Sequence, residues 1–256
     1  MLEVRNLTKV FSIREVVSGI SFQARPGQVL GCLGPNGAGK STTVKMLTGL
    51  LEPTRGAVYY DGVDIRRNLV EYKRRIGYLP ESPDLYGYLS AFDYLELVGR
   101  LRGIPGRILE TKINELLRLF SLFQQRRSVI ASYSKGMRQK VLISAAILHN
   151  PDLLIFDEPL SGLDVTSALV FKNLVEALAR DGKTILYSSH VLEVVEKLCS
   201  RVIILHEGKV VADDSVSNLR NLMELPSLER IFTELVVEED TEAIAREIVD
   251  IVKYVA

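Results

Sequence analysis

The chain is poor in several features that would have pointed elsewhere. It has two cysteines in 256 residues, Cys32 and Cys199, far apart and each beside apolar neighbours. That usage argues against a disulfide or a cysteine metal site and reads as two buried free thiols in a reducing compartment. Neither sign of charge is in excess, since Lys+Arg and Asp+Glu both number 32. No global field recruits nucleic acid or anionic lipid, so any such partner must be met by a local patch. The opening Met1-Leu2-Glu3-Val4-Arg5 lacks the basic-then-apolar pattern of a secretory leader. The most apolar stretch, Val141 to Leu148, is far too short to cross a bilayer. Internal repeats and low-complexity segments are missing as well. A soluble, cytoplasmic chain of one or two domains is expected. The 47% of hydrophobic and 25% of charged residues fit a globular protein. A mean hydropathy of +0.13 is slightly high, as buried parallel strands or an apolar docking face would make it.

What is present divides by periodicity. Alternating segments (Leu2, Val4; Ile20, Phe22, Ala24) and turn signals at Pro26-Gly27, Pro53, Gly56 and Asp61-Gly62 predict an antiparallel sheet with hairpins at the N-terminus. Set inside it is a different pattern: the apolar run Val29 to Leu33, a glycine-rich loop, and a helix over Ser41 to Leu50. From residue 84 to about 130 the apolar residues recur at helical spacing, for example Leu95, Val98 and Leu101, then Ile113, Leu116, Leu117 and Phe120. Further on, helix (Met137 to Leu148), strand (Leu153 to Phe156), helix (Ser167 to Ala179), strand (Thr184 to Ser188), helix and strand (Val202 to Leu205) alternate, which predicts a parallel sheet flanked by helices. After Glu238-Glu239-Asp240, the residues Ile244, Ile248, Ile251 and Val252 share one helical face. That face reads as packed on its own domain, with a partner contact as the alternative.

Gly34-Pro35-Asn36-Gly37-Ala38-Gly39-Lys40-Ser41, continued by Thr42, matches the P-loop pattern between an apolar strand and a helix. Glycines let the backbone N–H groups turn inward around phosphate oxygens, and the helix N-terminus adds positive potential at the same spot. Lys40 supplies a cation for the β- and γ-phosphates, and the Ser41 hydroxyl is a Mg²⁺ ligand. The apolar strand Leu153-Leu154-Ile155-Phe156 ends in Asp157-Glu158. Asp157 is suited to hold Mg²⁺, and Glu158 to polarise an attacking water as a general base.

With these two motifs in place the chain resembles an ATP-binding-cassette (ABC) nucleotide-binding domain over roughly residues 2 to 215. The resemblance implies an α/β fold: a P-loop NTPase core with a mostly parallel sheet, an N-terminal antiparallel β subdomain and an inserted helical subdomain. The cassette would cover 1–220, its helical subdomain about 84–150, and a C-terminal helical extension 221–256. It also implies roles. Phe11 stands where the family places an aromatic that stacks on adenine, with Val16 beside the ribose. Tyr133-Ser134-Lys135-Gly136-Met137 occupies the signature position, and Ser161-Gly162-Leu163-Asp164 that of the D-loop. His190 matches the switch histidine, which bonds the γ-phosphate and orients the water and Glu158. Ser134, Lys135, Gly136 and Asp164 would then meet the ATP held by the P-loop of a second protomer.

Three departures from the family pattern stand out. The signature keeps the Ser and one Gly but adds Lys135, the D-loop has Gly162 where Ala is usual, and the Q-loop position, in Ile76-Gly77-Tyr78-Leu79-Pro80-Glu81, carries Glu81 as a metal-side ligand in place of Gln. The implied cofactors are ATP and Mg²⁺, and the implied partner is a second ABC subunit in a homodimer or heterodimer. An integral membrane subunit is expected to dock near residues 72–94, which hold five of the ten tyrosines together with Phe92, Pro80 and Pro83. The short clusters Arg66-Arg67 and Lys73-Arg74-Arg75 read as a solvated face near the membrane, not a nucleic-acid site. The function expected is an ATPase driving export, peripheral at the inner face of the cell membrane. The alternative is a soluble ABC ATPase acting on DNA, ribosomes or another protein.

Overall fold

Alternation governs the first strands. In β1 (Leu2–Phe11) the side chains of Leu2, Val4 and Leu7 turn inward, and β2 (Arg14–Ala24) pairs antiparallel with it. The computed structural model describes residues 1–82, 85–236 and 241–253. The next strand, β3 (Val29–Leu33), is buried at all five positions and runs through the glycine-rich loop into α1 (Lys40–Leu47). Strands β4 (Arg55–Tyr60) and β5 (Val63–Asp64) return to the antiparallel sheet, whose order is β2-β1-β4-β5. A short helix α2 (Leu69–Arg75), capped by the Asn68 side chain, leads into β6 (Ile76–Leu79).

Three helices separate β6 from the next strand: α3 (Ala91–Leu101), α4 (Gly106–Leu119) and α5 (Lys135–Ile147). The Ser90 hydroxyl caps α3 through the Asp93 N–H, which explains why that helix starts there. Then come β7 (Leu153–Asp157), α6 (Val165–Arg180), β8 (Thr184–Ser188), α7 (Leu192–Leu198), β9 (Arg201–His206) and β10 (Lys209–Ser215). The second sheet runs β10-β9-β3-β8-β7-β6, parallel throughout except for the β9–β10 hairpin. Helices α8 (Val216–Met223), α9 (Leu228–Val236) and α10 (Thr241–Lys253) follow.

Helix α1 and one face of the parallel sheet meet the antiparallel sheet in one core, where Leu30, Val44 and Leu47 lie with Leu2 and Val58. The other face carries a second core, formed with α3 to α7 and with α8 and α9. Both cysteines are buried and unpaired, as expected, and burial pushes the Cys32 thiol up to about 12.

Two strands were not expected. β6 has four residues, one of them Gly77, so no alternation marks it. β10 is a half-exposed edge strand whose Asp213 pairs with Arg201 of β9 at 2.7 Å, a polar composition that hides it. The expectation that Ile244, Ile248, Ile251 and Val252 pack on their own domain is overturned, because all four are exposed on α10. Leu228, Ile231 and Val236 of α9 already occupy the core surface beside α7 and α8. Glu238-Glu239-Asp240 lies outside the described residues.

Candidate active site

The buried strand β3 delivers the chain to the P-loop, which must turn sharply before α1. Gly39 makes that turn at φ 98°, and a Cβ there would sit 2.8 Å from the Val16 carbonyl oxygen. Only glycine meets both demands. The Lys40 ammonium donates to the Gly34 carbonyl at 2.6 Å and to the Pro35 carbonyl at 3.0 Å, so it is held over the loop. Gly34 to Gly37, Gly39 and Lys40 to Thr42 line a cleft of about 560 Å³, and Val16 forms part of its wall.

Opposite the loop, β7 brings Asp157 to the cleft and β8 brings Ser188 and the chain leading to His190. Asp157 is buried, and its carboxyl is held above the usual carboxylate range by that burial and by the charges of Glu81 and Glu158. Glu158 has φ 48°, an uncommon value for a residue with a side chain that costs on the order of 1–3 kcal/mol. Its N–H donates to the Ser188 carbonyl at 2.9 Å, which holds the turn. Its carboxylate is gripped twice: Ser189 Oγ donates to Oε2 at 3.2 Å, and His190 Nδ1–H donates to Oε1 at 2.7 Å. A carboxylate only accepts, so the proton sits on Nδ1 and the exposed Nε2 is left for a ligand.

Glu81 is exposed and stands between two hollows. It lines the nucleotide cleft, and it also lines a neighbouring groove of about 570 Å³ walled by Tyr78, Pro80, Tyr94 and Arg102. Ser41 and Asp157 border both as well. Oxygen donors from Ser41 and Asp157, with Glu81 beside them, are the donor chemistry that Mg²⁺ prefers. A cation there would also relieve the crowding of three carboxylates, Glu81, Asp157 and Glu158, around one buried position. The residues fit the metal.

The signature residues lie elsewhere. Ser134 caps α5 by accepting the Met137 N–H at 3.2 Å, and none of Ser134, Lys135, Gly136 or Asp164 lines the nucleotide cleft. Instead Lys135 and Gly136 meet the D-loop of their own chain, to which Asp164 belongs. A Cβ on Gly136 would lie 2.5 Å from the Gly162 carbonyl oxygen, and the Lys135 stem covers Gly162. Asp164 caps α6, accepting from the Ser167 hydroxyl at 2.7 Å and from its N–H at 2.8 Å, which brings its carboxyl down to about 2. Phe11 does not line the cleft. It is 46% exposed at the end of β1, with the Lys9 ammonium 5.2 Å from the ring centroid, so core packing does not explain it.

Comparison with known proteins decides what this constellation is. Residues 17–161 match the ABC transporter family. The chain belongs to that family. NatA, an ABC transporter ATP-binding protein of Bacillus subtilis, is 38% identical over 219 residues, which is 85% of this chain and 89% of NatA. The bacitracin transport ATP-binding protein BcrA of Enterococcus faecalis is 34% identical over 220 residues, covering 86% and 70% of the two chains. Among solved structures, an ATP-binding subunit of an ABC transporter superposes with a TM-score of 0.87 at 35% identity, over 92% of this chain and 99% of that one. The dimeric cassette MJ0796 bound to ADP and Pi shares the fold at a TM-score of 0.78 and 24% identity, covering 84% and 98%. The chain is thus an ATP-hydrolysing subunit of the ABC transporter family.

Ser189 was not foreseen in the sequence, although it adjoins His190 and donates to the Glu158 carboxylate. Phe232 was missed too. It lines the nucleotide cleft from α9, far along the chain from the P-loop, and no local motif marks it.

Proposed function

We propose that this subunit drives export through separate membrane subunits, by ATP-dependent closure of a head-to-tail homodimer or heterodimer. The observation that carries the reading is the division of the phosphate-binding parts. The P-loop, Asp157, Glu158 and His190 surround one cleft, while Ser134, Lys135, Gly136 and Asp164 lie outside its lining on the same chain. A helix start such as that of α5, capped by Ser134, is suited to meet a phosphate bound by a second protomer. In the closed state, Glu158 accepts a proton from the attacking water and His190 Nε2 steadies the γ-phosphate. Lys40 leaves its carbonyl partners for the β- and γ-phosphates, Phe11 stacks on adenine, and Val16 meets the ribose. Ser41 and Asp157, with Glu81 beside them, would hold Mg²⁺, which would supply neutralising charge to the phosphates.

The docking surface proposed for the membrane subunit, within residues 72–94 and the groove they border, is the hollow beyond Glu81 and the aromatic ledge next to it. Tyr86 and Tyr88 are exposed, with ring centroids 5.9 Å apart, and Tyr94 lies 6.4 Å from Tyr86. Two of the aromatic residues first expected there are internal: Tyr72 donates to the buried Leu47 carbonyl at 2.6 Å, and Phe92 is buried beneath Arg127. Pro83 lies outside the described residues. Among the described residues no helix is long and apolar enough to cross a membrane. The proposed place of work is the cytoplasmic face of the membrane, as a peripheral subunit bound to the membrane subunit.

The export direction rests on relatives such as BcrA, named for bacitracin transport. Action on nucleic acid is disfavoured by the basic clusters themselves: Arg66 is paired with Asp64, Arg74 with Glu71, and Arg75 with Asp61 and Asp152. The test is reconstitution with the adjacent membrane subunit in sealed vesicles. ATP-dependent movement of substrate out of the compartment facing the ATPase is expected, and movement only toward that compartment would reverse the assignment.

A further inference from the structure

The nucleotide cleft has a wall that the family motifs do not supply. Phe232, on α9, is half-buried and lines that cleft beside Leu192 and His190. It lies well beyond residue 161, where the family match ends.

Helix α9 is fixed to α7 in two ways. Leu228 and Ile231 share a core with Val194, Val195 and Leu198 of α7. The Glu196 carboxylate then ties three helices together: Oε2 accepts the Leu228 N–H at 3.4 Å, and Oε1 lies 3.5 Å from the Arg220 guanidinium of α8. The start of α7 is held through its backbone, where the Ser189 hydroxyl accepts the Val191 N–H at 3.1 Å and the Val191 carbonyl accepts from Val194 and Val195. Val191 is its N-cap and makes no side-chain cap hydrogen bond. His190 precedes that start, and 73% of its side chain is exposed. Besides its bond to Glu158, its orientation rests on what packs around the first turn of α7, and the apolar side chains there that border the cleft are Leu192 and Phe232.

We propose that Phe232 is a positioning residue for hydrolysis: with Leu192 it forms an apolar wall that holds the first turn of α7, and so keeps His190 on Glu158. The C-terminal helices thereby become part of the hydrolytic site. This rests on the reading of Glu158 and His190 as the hydrolytic pair.

The experiment uses the full-length chain and ATP. Phe232→Ala is expected to lower kcat about tenfold with KM for ATP changed less than about twofold, since a group needed only to align the transition state leaves ground-state binding intact. Phe232→Leu should recover most of the loss. In a His190→Ala background, Phe232→Ala should cost little more, because residues acting through one another are not additive. The chain contains no tryptophan, so Phe232→Trp gives a single emission signal that should change when ATP is added. The proposal is overturned if Phe232→Ala matches the parent in kcat, if it lowers activity by the same factor in both backgrounds, if the loss appears in KM alone, or if the Phe232→Trp emission ignores ATP. Should Phe232→Ala not fold, Phe232→Val carries the same double-mutant test. A fully active His190→Ala would instead remove the hydrolytic pair and the premise with it. A disabled His190→Ala beside an unimpaired Phe232→Ala would remove only the wall.

Discussion

His190 Nδ1 lies 2.7 Å from Glu158 Oε1, yet the two side chains sit in opposite environments: 73% of His190 is exposed and only 14% of Glu158. The carboxylate is enclosed and held by Ser189 as well, while the imidazole reaches outward from it. This arrangement suits a base that must stay in place and a partner that must meet a phosphate arriving from outside. It also separates what each residue contributes. In the proposed mechanism Glu158 supplies charge, and His190 carries a donor across the gap.

Glu158→Gln keeps the shape and an acceptor for the Ser189 hydroxyl but removes the charge that polarises water. ATP should bind as before, turnover should fall by about 10²- to 10⁴-fold, and the chain should accumulate as a dimer in ATP. Size-exclusion chromatography with and without ATP reads this directly. A monomeric, ATP-loaded variant would contradict signature contacts made across a dimer.

Much of this site is legible in the sequence because phosphate chemistry uses contiguous spacings. The P-loop and the Asp157-Glu158 pair each occupy one short window next to a strand, so motif and context are read together. The fold was legible for a similar reason wherever burial was complete, as in β3, β7 and β8. It failed where the signal was weak or distant. β6 has too few side chains to alternate, and β10 is polar. Which tyrosines are internal depends on tertiary contacts: Tyr72 closes over α1, whereas Tyr86 and Tyr88 do not. Phe232 reaches the cleft through the packing of α9 on α7, which no local pattern encodes.

The close approach of Gly136 to Gly162 leads to a second prediction. A methyl group on Gly136 would meet the Gly162 carbonyl oxygen at 2.5 Å, so the signature or the D-loop must shift. Gly136→Ala should bind ATP at its own P-loop with unchanged affinity but fail to form the ATP-dependent dimer. The comparison is made in the Glu158→Gln background by equilibrium binding and chromatography. A Gly136→Ala variant that dimerises as well as its parent would show that the signature is not set by this contact.

The aromatic ledge separates docking from stability. Tyr86→Ala with Tyr88→Ala removes two exposed rings and should leave the ATPase rate of the isolated chain within about twofold while abolishing copurification with the membrane subunit. Tyr72→Ala should act in the opposite way, destabilising the fold by about 3 kcal/mol through loss of a buried ring and its bond to Leu47. Retained copurification in the double variant would move the docking site away from the ledge.

His149 carries an acid-sensitivity prediction. It donates through Nε2 to the Ile76 carbonyl at 2.9 Å, its Nδ1 is buried without a partner, and burial depresses it to about 4, with Arg102 and Lys112 adding to the shift. The unfolded chain takes up this proton near pH 6.5, whereas the folded chain resists until near pH 4. The stability held above pH 6.5 is therefore lost progressively as pH falls between those values. His149→Gln retains a donor for Ile76 but has no such titration, so its Tm should decline less steeply over that window. Parallel Tm profiles for the two proteins would refute the assignment.

Glu81 borders both the nucleotide cleft and the groove behind it, so its charge is felt on either side. Near a γ-phosphate that charge is repulsive unless a cation lies between, because unit charges ~4 Å apart interact by ~4 kcal/mol at an effective dielectric of 20. Glutamate at this position should therefore engage only with Mg²⁺ present, and the site should read metal and nucleotide together. Glu81→Gln is expected to keep most ATPase activity with a weaker dependence on Mg²⁺ concentration, and to bind ATP more tightly than the parent when Mg²⁺ is chelated. Glu81→Ala should bind nucleotide normally but uncouple hydrolysis from the membrane subunit, since the side chain joining the two hollows is gone. A Mg²⁺ titration of the ATPase rate, with equilibrium ATP binding in chelator as the second readout, tests both. If Glu81→Gln stops turnover as completely as Glu158→Gln, Glu81 is itself the base and the roles of the two carboxylates must be exchanged.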